Sequence, residues 1–275
     1  MKTSRNRKRS GKPGSRRSTS GAPRSGPPRG ELLYGRQAVR ETLRAGRRHC
    51  HDLYLAEGVK ENEIVREIRN LAEAQRIPIH HVERQKLDEW VLNANHQSVV
   101  LRAGAYPYGD VTTMLARAQH IQSPPFLLLL DKIQDPQNLG ALFRAAEAFG
   151  VHGVILPKHR AAHITPAVVN ASAGAVEHLL VATAANLVQE MKMLKQAGVW
   201  IVGLEAHPEA VSLSAVDVNG PLAVVVGSEG FGLSRLVRET CDWLVELPMS
   251  GHINSLNAAV AGSVFLFWAM QQRSG

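Results

Sequence analysis

The sequence predicts an α/β fold: a parallel-sheet domain preceded by a smaller α/β unit. Three observations carry this. From Phe126 onward, six short apolar runs recur between helical or mixed segments. Those runs are continuous rather than alternating, as strands covered on both faces of a parallel sheet must be. Upstream, residues 31–104 alternate helix-period and strand-period patterns over shorter lengths.

In chain order, residues 31–104 read as a helix at 35–44, a strand at 52–56 and a helix at 62–74 with Ile64, Val65, Ile68, Leu71 and Ala72 on one face. A strand at 77–82, a short helix at 85–92 and a strand at 98–102 complete that unit. Residues 105–124 read as a linker, bounded by Tyr106-Pro107-Tyr108-Gly109 and Ser123-Pro124-Pro125, with one or two helical turns at 112–120. The strands of the second unit, residues 125–275, fall at 126–130, 153–156, 178–181, 199–204, 222–227 and 243–247. A helix at 184–196 has Thr183 as a candidate N-cap and Gly198 at its end. A last helix at 256–270 is apolar nearly all round, which implies burial in the core or at a contact between copies.

Hydrophobic residues make up 44% and charged residues 20% of 275, an ordinary soluble composition. No stretch reaches the roughly 20 apolar residues that span a bilayer. Cys50 and Cys241 lie too far apart for a metal or redox motif and fit a reducing compartment. The N-terminus lacks the apolar core of a secretory signal and, with five Gly and four Pro in residues 1–30, the amphipathic helix of a transit peptide. Cytoplasm is the expected location.

The net charge of +8 is unevenly spread. Residues 1–30 carry ten basic residues and no acidic one, while the rest, with 22 basic and 24 acidic, sums to −2. Such a tail cannot bury enough apolar surface to offset chain entropy and is expected to be disordered. It is either a solubilising extension or an arm for a polyanion, each phosphate contact releasing counterions.

Ligands of a parallel open sheet sit at the carboxyl ends of its strands. Three such ends are polar or glycine-rich: Asp131–Arg144, with a helix starting near Asn138; 226–234, reading VGSEGFGLS; and 247–257, reading LPMSGHINSLN. In the second, the glycine order is G-x-x-G-x-G, unlike a dinucleotide fingerprint. Glu229 inside that loop would repel a pyrophosphate, so a neutral or cationic ligand suits it better; a plain tight turn is the alternative. The paired histidines His49/His51 and His80/His81 lack a third ligand that would make a metal site.

Taken together, DPQNLGALFRAAEAFG, VVVGSEGFGLS and LPMSGHINSLNAAVAGSVFLF resemble, in order and spacing, the three motifs of SpoU/TrmH-type (SPOUT) RNA ribose methyltransferases. The similarity continues through ASAGAVEHL, and LLYGRQAVRETL and HQSVV resemble the ribosomal-protein-like RNA-binding domain of that group. It spans roughly residues 31–273 and is nearest to bacterial enzymes methylating the 2′-hydroxyl of a 23S rRNA guanosine.

The resemblance implies S-adenosylmethionine as methyl donor, RNA as substrate, a homodimer and a trefoil knot in the C-terminal domain, a topology that connection rules alone would never propose. It points to Gly203, Leu204, Gly227, Leu247, Met249 and Leu256 around the cofactor, and to Asn138, Arg144, Glu229, Ser255 and Asn257 as catalytic positions. As a general base Arg144 would need its guanidinium made far more acidic than usual, at a cost of roughly 7 kcal/mol. Anchoring a phosphate and ribose through its fork is the cheaper role, with Asn138 expected to orient it. Ser255 and Asn257 are expected to bond the ribose or cofactor, against the plain reading of Ser255 as a helix N-cap. Transfer to tRNA, or a non-catalytic RNA-binding factor on the same fold, are the competing readings.

Overall fold

The computed structural model describes residues 27–158, 163–252 and 255–273. The tail at 1–26 and Asn254 of the third stretch lie outside them. Chain order begins with β1 (Glu31–Tyr34), α1 (Arg36–Ala45), β2 (Cys50–Ala56), α2 (Glu63–Ala74), β3 (Ile79–Val82), α3 (Arg84–Trp90) and β4 (Val99–Ala103). These four strands form one sheet in the order β1-β4-β2-β3, with only β2 and β3 parallel. The amphipathic α2 buries Val65, Ile68 and Ala72, and the side chain of Asn62 caps it by accepting from Val65 N at 3.0 Å. The strand β1 has no counterpart in the sequence reading: it has four residues, and only Leu33 of them is fully buried.

A ten-residue helix, α4 (Val111–His120), follows, longer than the one or two turns expected, because Asp110 caps it through Thr113 N at 2.7 Å. The second unit then runs β5 (Phe126–Asp131), α5 (Pro136–Ala148), β6 (Gly153–Pro157), α6 (Pro166–Ala171), β7 (Val181–Ala184), α7 (Leu187–Gln196), β8 (Trp200–Leu204), β9 (Val211–Ser212), β10 (Leu222–Gly227), α8 (Arg235–Thr240), β11 (Trp243–Glu246) and α9 (Ala258–Arg273). Its seven strands lie in the order β7-β6-β5-β10-β8-β11-β9, and every pairing is parallel. Leu128 and Leu130 point to the side of α5 and α9, and Leu127 and Leu129 to that of α4 and α7. The continuous apolar runs are therefore two-faced burial, as expected.

Three local expectations shift. The run at 178–181 is not a strand; a 3-10 turn occupies Ala175–His178 and the strand begins at Val181. Thr183 lies inside that strand, and Asn186 caps α7 instead, accepting from Gln189 N at 3.2 Å. The last helix starts at Ala258, where Asn257 Oδ1 accepts from Ala259 N and Val260 N at 2.9 and 3.1 Å. Its N-cap is thus Asn257, not Ser255.

The two sheets meet across a buried charged seam. The Arg48 side chain, 0% exposed, donates from Nε to Glu177 Oε2 at 3.0 Å and pairs with Glu31 at 2.5 Å. Tyr106 Oη donates to the Leu179 carbonyl at 2.7 Å, and Asn170 Nδ2 to the Tyr34 carbonyl at 3.0 Å. The order of strands places β10 between β5 and β8, and β8 beside β11. The carboxyl ends that carry the three polar stretches are consequently brought to one edge.

Candidate functional site

A cleft of about 590 Å³ opens along that edge. Five of the six residues expected around a cofactor line it: Leu204 at the end of β8, Gly227 at the end of β10, Leu247 and Met249 after β11, and Leu256 before α9. Glu229, Ser255 and Asn257 line it as well. Gly203 does not. It sits one residue deeper in β8, where a Cβ would meet Leu233 Cδ1 at 2.7 Å and Cys241 Sγ at 2.9 Å, so its smallness serves sheet packing.

The glycine loop is a closed turn. Ser228 and Gly232 exchange backbone hydrogen bonds of 3.1 and 2.9 Å, and Gly230 takes φ +76° at its tip. That left-handed conformation strains any residue with a Cβ. A Cβ on Gly227 would lie 2.3 Å from the carbonyl carbon of Gly232 and 2.6 Å from Leu233 N. The close approach expected at Gly227 is thus between two segments of the chain itself.

Two carboxylates tie the loop down. Asp131, 3% exposed at the end of β5, accepts from Ser234 N at 2.6 Å. Glu205 accepts from Leu233 N at 3.0 Å and from Arg238 Nη2 at 2.9 Å. Burial would raise the Glu205 carboxyl, but the Arg238 and Leu233 hydrogen bonds outweigh it and hold it below the ordinary range. Sequence reasoning passed over Glu205, although its place immediately beyond a predicted strand end was the available signal.

A second cavity of about 460 Å³ adjoins the first, and Ser228, Glu229, Phe231 and Gly232 line both. Asn138 lines only the second and Asn257 only the first. Their side chains meet: Asn257 Nδ2 donates to Asn138 Oδ1 at 2.9 Å and also to Glu229 Oε1. Asn138 is placed by Asp135, which caps α5 by accepting from Asn138 N at 2.9 Å. The expected orienting contact of Asn138 with Arg144 is absent, because the Asn138 oxygen faces Asn257. Arg144 lies on the exposed face of α5, lines neither cavity, and its side chain has no hydrogen bond or ion pair among the described residues.

The chemistry of the first cleft is specific. Leu204, Val226, Leu247 and Ala261 provide apolar wall, strand ends provide backbone groups, and Glu229 and Glu246 provide negative charge, Glu205 being paired with Arg238. No Lys or Arg is among its lining residues. A cationic sulfonium with an apolar body fits such a donor set, and a pyrophosphate does not. Burial pushes the Cys50 thiol up to about 11 and the Cys241 thiol up to about 12, so neither is a thiolate nucleophile at neutral pH. Among the described residues no group of three or more His, Cys, Asp or Glu forms a metal site, and no helix is long and apolar enough to cross a membrane.

Comparison with known proteins places this geometry. The profile of the SpoU rRNA Methylase family matches residues 125–267, and that of the RNA 2'-O ribose methyltransferase substrate binding domain matches residues 32–109. A Bacillus subtilis protein named for the TrmH family of tRNA/rRNA methyltransferases is 39% identical over 244 residues, 89% of this chain and 96% of that protein. An uncharacterized tRNA/rRNA methyltransferase of Mycolicibacterium vanbaalenii is 42% identical over 88% of this chain and 77% of its own length. The SpoU methyltransferase AviRb of Streptomyces viridochromogenes, solved in complex with AdoMet, superposes with a TM-score of 0.73 at 25% identity, covering 89% of this chain and 91% of that one. On sequence profile, overall identity and fold together, the chain belongs to the SpoU methylase family of RNA methyltransferases.

Proposed function

We propose that this protein methylates a ribose 2′-hydroxyl in RNA, a guanosine of 23S rRNA, with S-adenosylmethionine as donor. The observation that carries this is the pair of cavities sharing one wall, bridged by Asn257 and Asn138 beside Glu229. A transfer between two bound molecules needs two adjoining sites and little covalent work from the protein. The AdoMet complex of AviRb supports the donor, and the substrate-binding profile over residues 32–109 supports RNA.

In this reading the first cleft holds the cofactor through Leu204, Gly227, Leu247, Met249 and Leu256, with Gly203 packing the strand beneath it. When bound, the cofactor supplies a methyl group already activated on a cationic sulfur. Glu229 would lend the cleft negative charge that suits such a cation. Asn138 and Asn257 fix the wall between donor and acceptor, Ser255 offers the ribose a hydroxyl, and Arg144 anchors the RNA backbone from the open face of α5. Its planar fork suits that positioning role.

The finer assignments belong to the same proposal. Residues 31–104 form the RNA-binding unit, 105–124 connect it, 125–275 form the catalytic unit with a trefoil knot, and the tail at 1–30 is an accessory arm. Val260, Val264 and Phe267, between 44% and 49% exposed, form one apolar stripe along α9, which supports a homodimer through that helix. A cytoplasmic enzyme is consistent with the absence of a membrane-crossing helix among the described residues.

The test is transfer of a labelled methyl group from S-adenosylmethionine to purified rRNA and tRNA, followed by digestion to nucleosides. Label in 2′-O-methylguanosine from 23S rRNA is expected. Label only in tRNA, label on a base, or none overturns the assignment.

A further inference from the structure

Phe231 is 89% exposed, more than any other large apolar side chain among the described residues. Single exposed apolar residues are common and need no explanation. This one differs in how firmly it is presented. Its turn is closed by the reciprocal bonds of Ser228 and Gly232, and Glu205 and Asp131 anchor the next two amides. Its ring therefore stands on a fixed mount at the wall between the two cavities.

The two cavities also differ in charge. The first carries three carboxylates and no Lys or Arg among its lining residues. The second carries Lys132, an exposed cation with no ion pair among the described residues. Of its carboxylates, Asp135 is engaged as the cap of α5 and Glu229 accepts from Asn257. Lys132 is the one Lys or Arg among the described residues lining the two cavities, so a phosphate finds a local cationic partner in the second that the first does not offer.

We propose that the second cavity is the acceptor-nucleotide site, with the base stacked on Phe231 and the backbone phosphate beside Lys132. This rests on the RNA methylation reading above and specifies where its substrate sits. A volume of about 460 Å³ lies within the usual range of small-ligand sites. Bases of single-stranded RNA are recognised by stacking on aromatic side chains, because they can be splayed out of a helix. With its base on Phe231 and its phosphate at Lys132, the nucleotide brings its ribose to the Asn138–Asn257 bridge, next to the cofactor cleft. Phe231 is then a substrate-positioning residue, and any base with an exposed π-face can use it.

The test uses the full chain and three variants, Phe231→Ala, Phe231→Tyr and Lys132→Ala. Affinity for a fluorescein-labelled single-stranded RNA decamer is read by anisotropy, S-adenosylmethionine affinity by calorimetry, and the RNA KM by methyl transfer. Because base–aromatic stacking is worth about 1–3 kcal/mol, Phe231→Ala is expected to weaken decamer binding about 5- to 150-fold. Because Phe231 lines both cavities, any fall in cofactor affinity is by a smaller factor than the fall in decamer affinity, and Phe231→Tyr restores decamer binding. Lys132→Ala lowers the salt slope of binding by about 0.7, one phosphate contact on a single strand. Unchanged decamer affinity in Phe231→Ala overturns the proposal, as does a weakened cofactor with an unchanged decamer. Decamer binding that depends on Phe231 in a protein that transfers no methyl group would retain this site and overturn the methylation reading instead.

Discussion

The molecule contains two polar seams of opposite character. Between the sheets, Arg48 and Glu177 pair with side chains 0% and 1% exposed. Between the cavities, the neutral amide of Asn257 bonds the Asn138 amide and the Glu229 carboxylate at an open edge. A buried charge pair cannot lose one partner without stranding the other in a low-dielectric interior. An exposed amide contact can be lost to water at little cost. On the proposed reading, the first seam belongs to stability and the second to function.

The largest effect expected is on the buried seam. Arg48→Ala leaves Glu177 unpaired and is predicted to cost about 3–5 kcal/mol in denaturant unfolding, with methyl transfer per folded molecule intact. Next, Arg144→Ala should reduce methyl transfer by about 10²–10³-fold, the scale seen when one electrostatic partner of a transition state is removed. Its cofactor affinity and melting temperature should match the wild type, since the exposed Arg144 side chain makes no hydrogen bond or ion pair among the described residues. Near-normal turnover would remove Arg144 from the site.

Asn257 sits in both classes, which makes it the sharpest probe of the comparison. Asn257→Ala loses an N-cap, about 1 kcal/mol of stability, and also loses the bridge. Asn257→Asp retains the cap but not the donor to Asn138. It should recover the stability and not the activity; recovery of both would show the bridge to be dispensable.

The smallest effect is titration. Glu41 is raised by burial, but the hydrogen bonds from His178 and Arg40 and the charges of Arg44 and Arg40 hold it below its ordinary 4.5. Glu205 behaves alike through Arg238 and Leu233. Groups so lowered confer stability in full above about pH 4.5, and that stability is lost as pH falls through the folded values. Glu177, raised by burial against the pull of Arg48, has the opposite sign and softens the decline. Calorimetric melting should be flat near neutrality and fall below about pH 4.5.

Much of the fold was legible because two-faced burial leaves a continuous apolar signature. The strands β5, β6, β8, β10 and β11 were all read within two residues. β1 escaped because an edge strand of four residues with one buried side chain leaves little pattern. β7 was misplaced because Leu179 and Leu180 read as strand, while the weaker formers Ala182 and Ala184 become strand only by joining β6. At the site, glycines and polar residues clustered at strand ends could be read, and the motifs gathered them. The pairing of Asn138 with Asn257 could not, since 119 positions separate them and only the strand order brings them together. Gly203, which the family resemblance put near the cofactor, lies outside the cleft lining and packs against Leu233 and Cys241, a closeness that only the folded strands show.

Asn138→Ala tests the division between the seams most directly, because Asn138 bridges to Asn257 without capping a helix through its side chain. Turnover at saturating RNA and cofactor, together with the melting temperature, decides it. Turnover reduced at least about tenfold with melting unchanged within about 2 °C is the predicted result. A lowered melting temperature with normal turnover per folded molecule would contradict it.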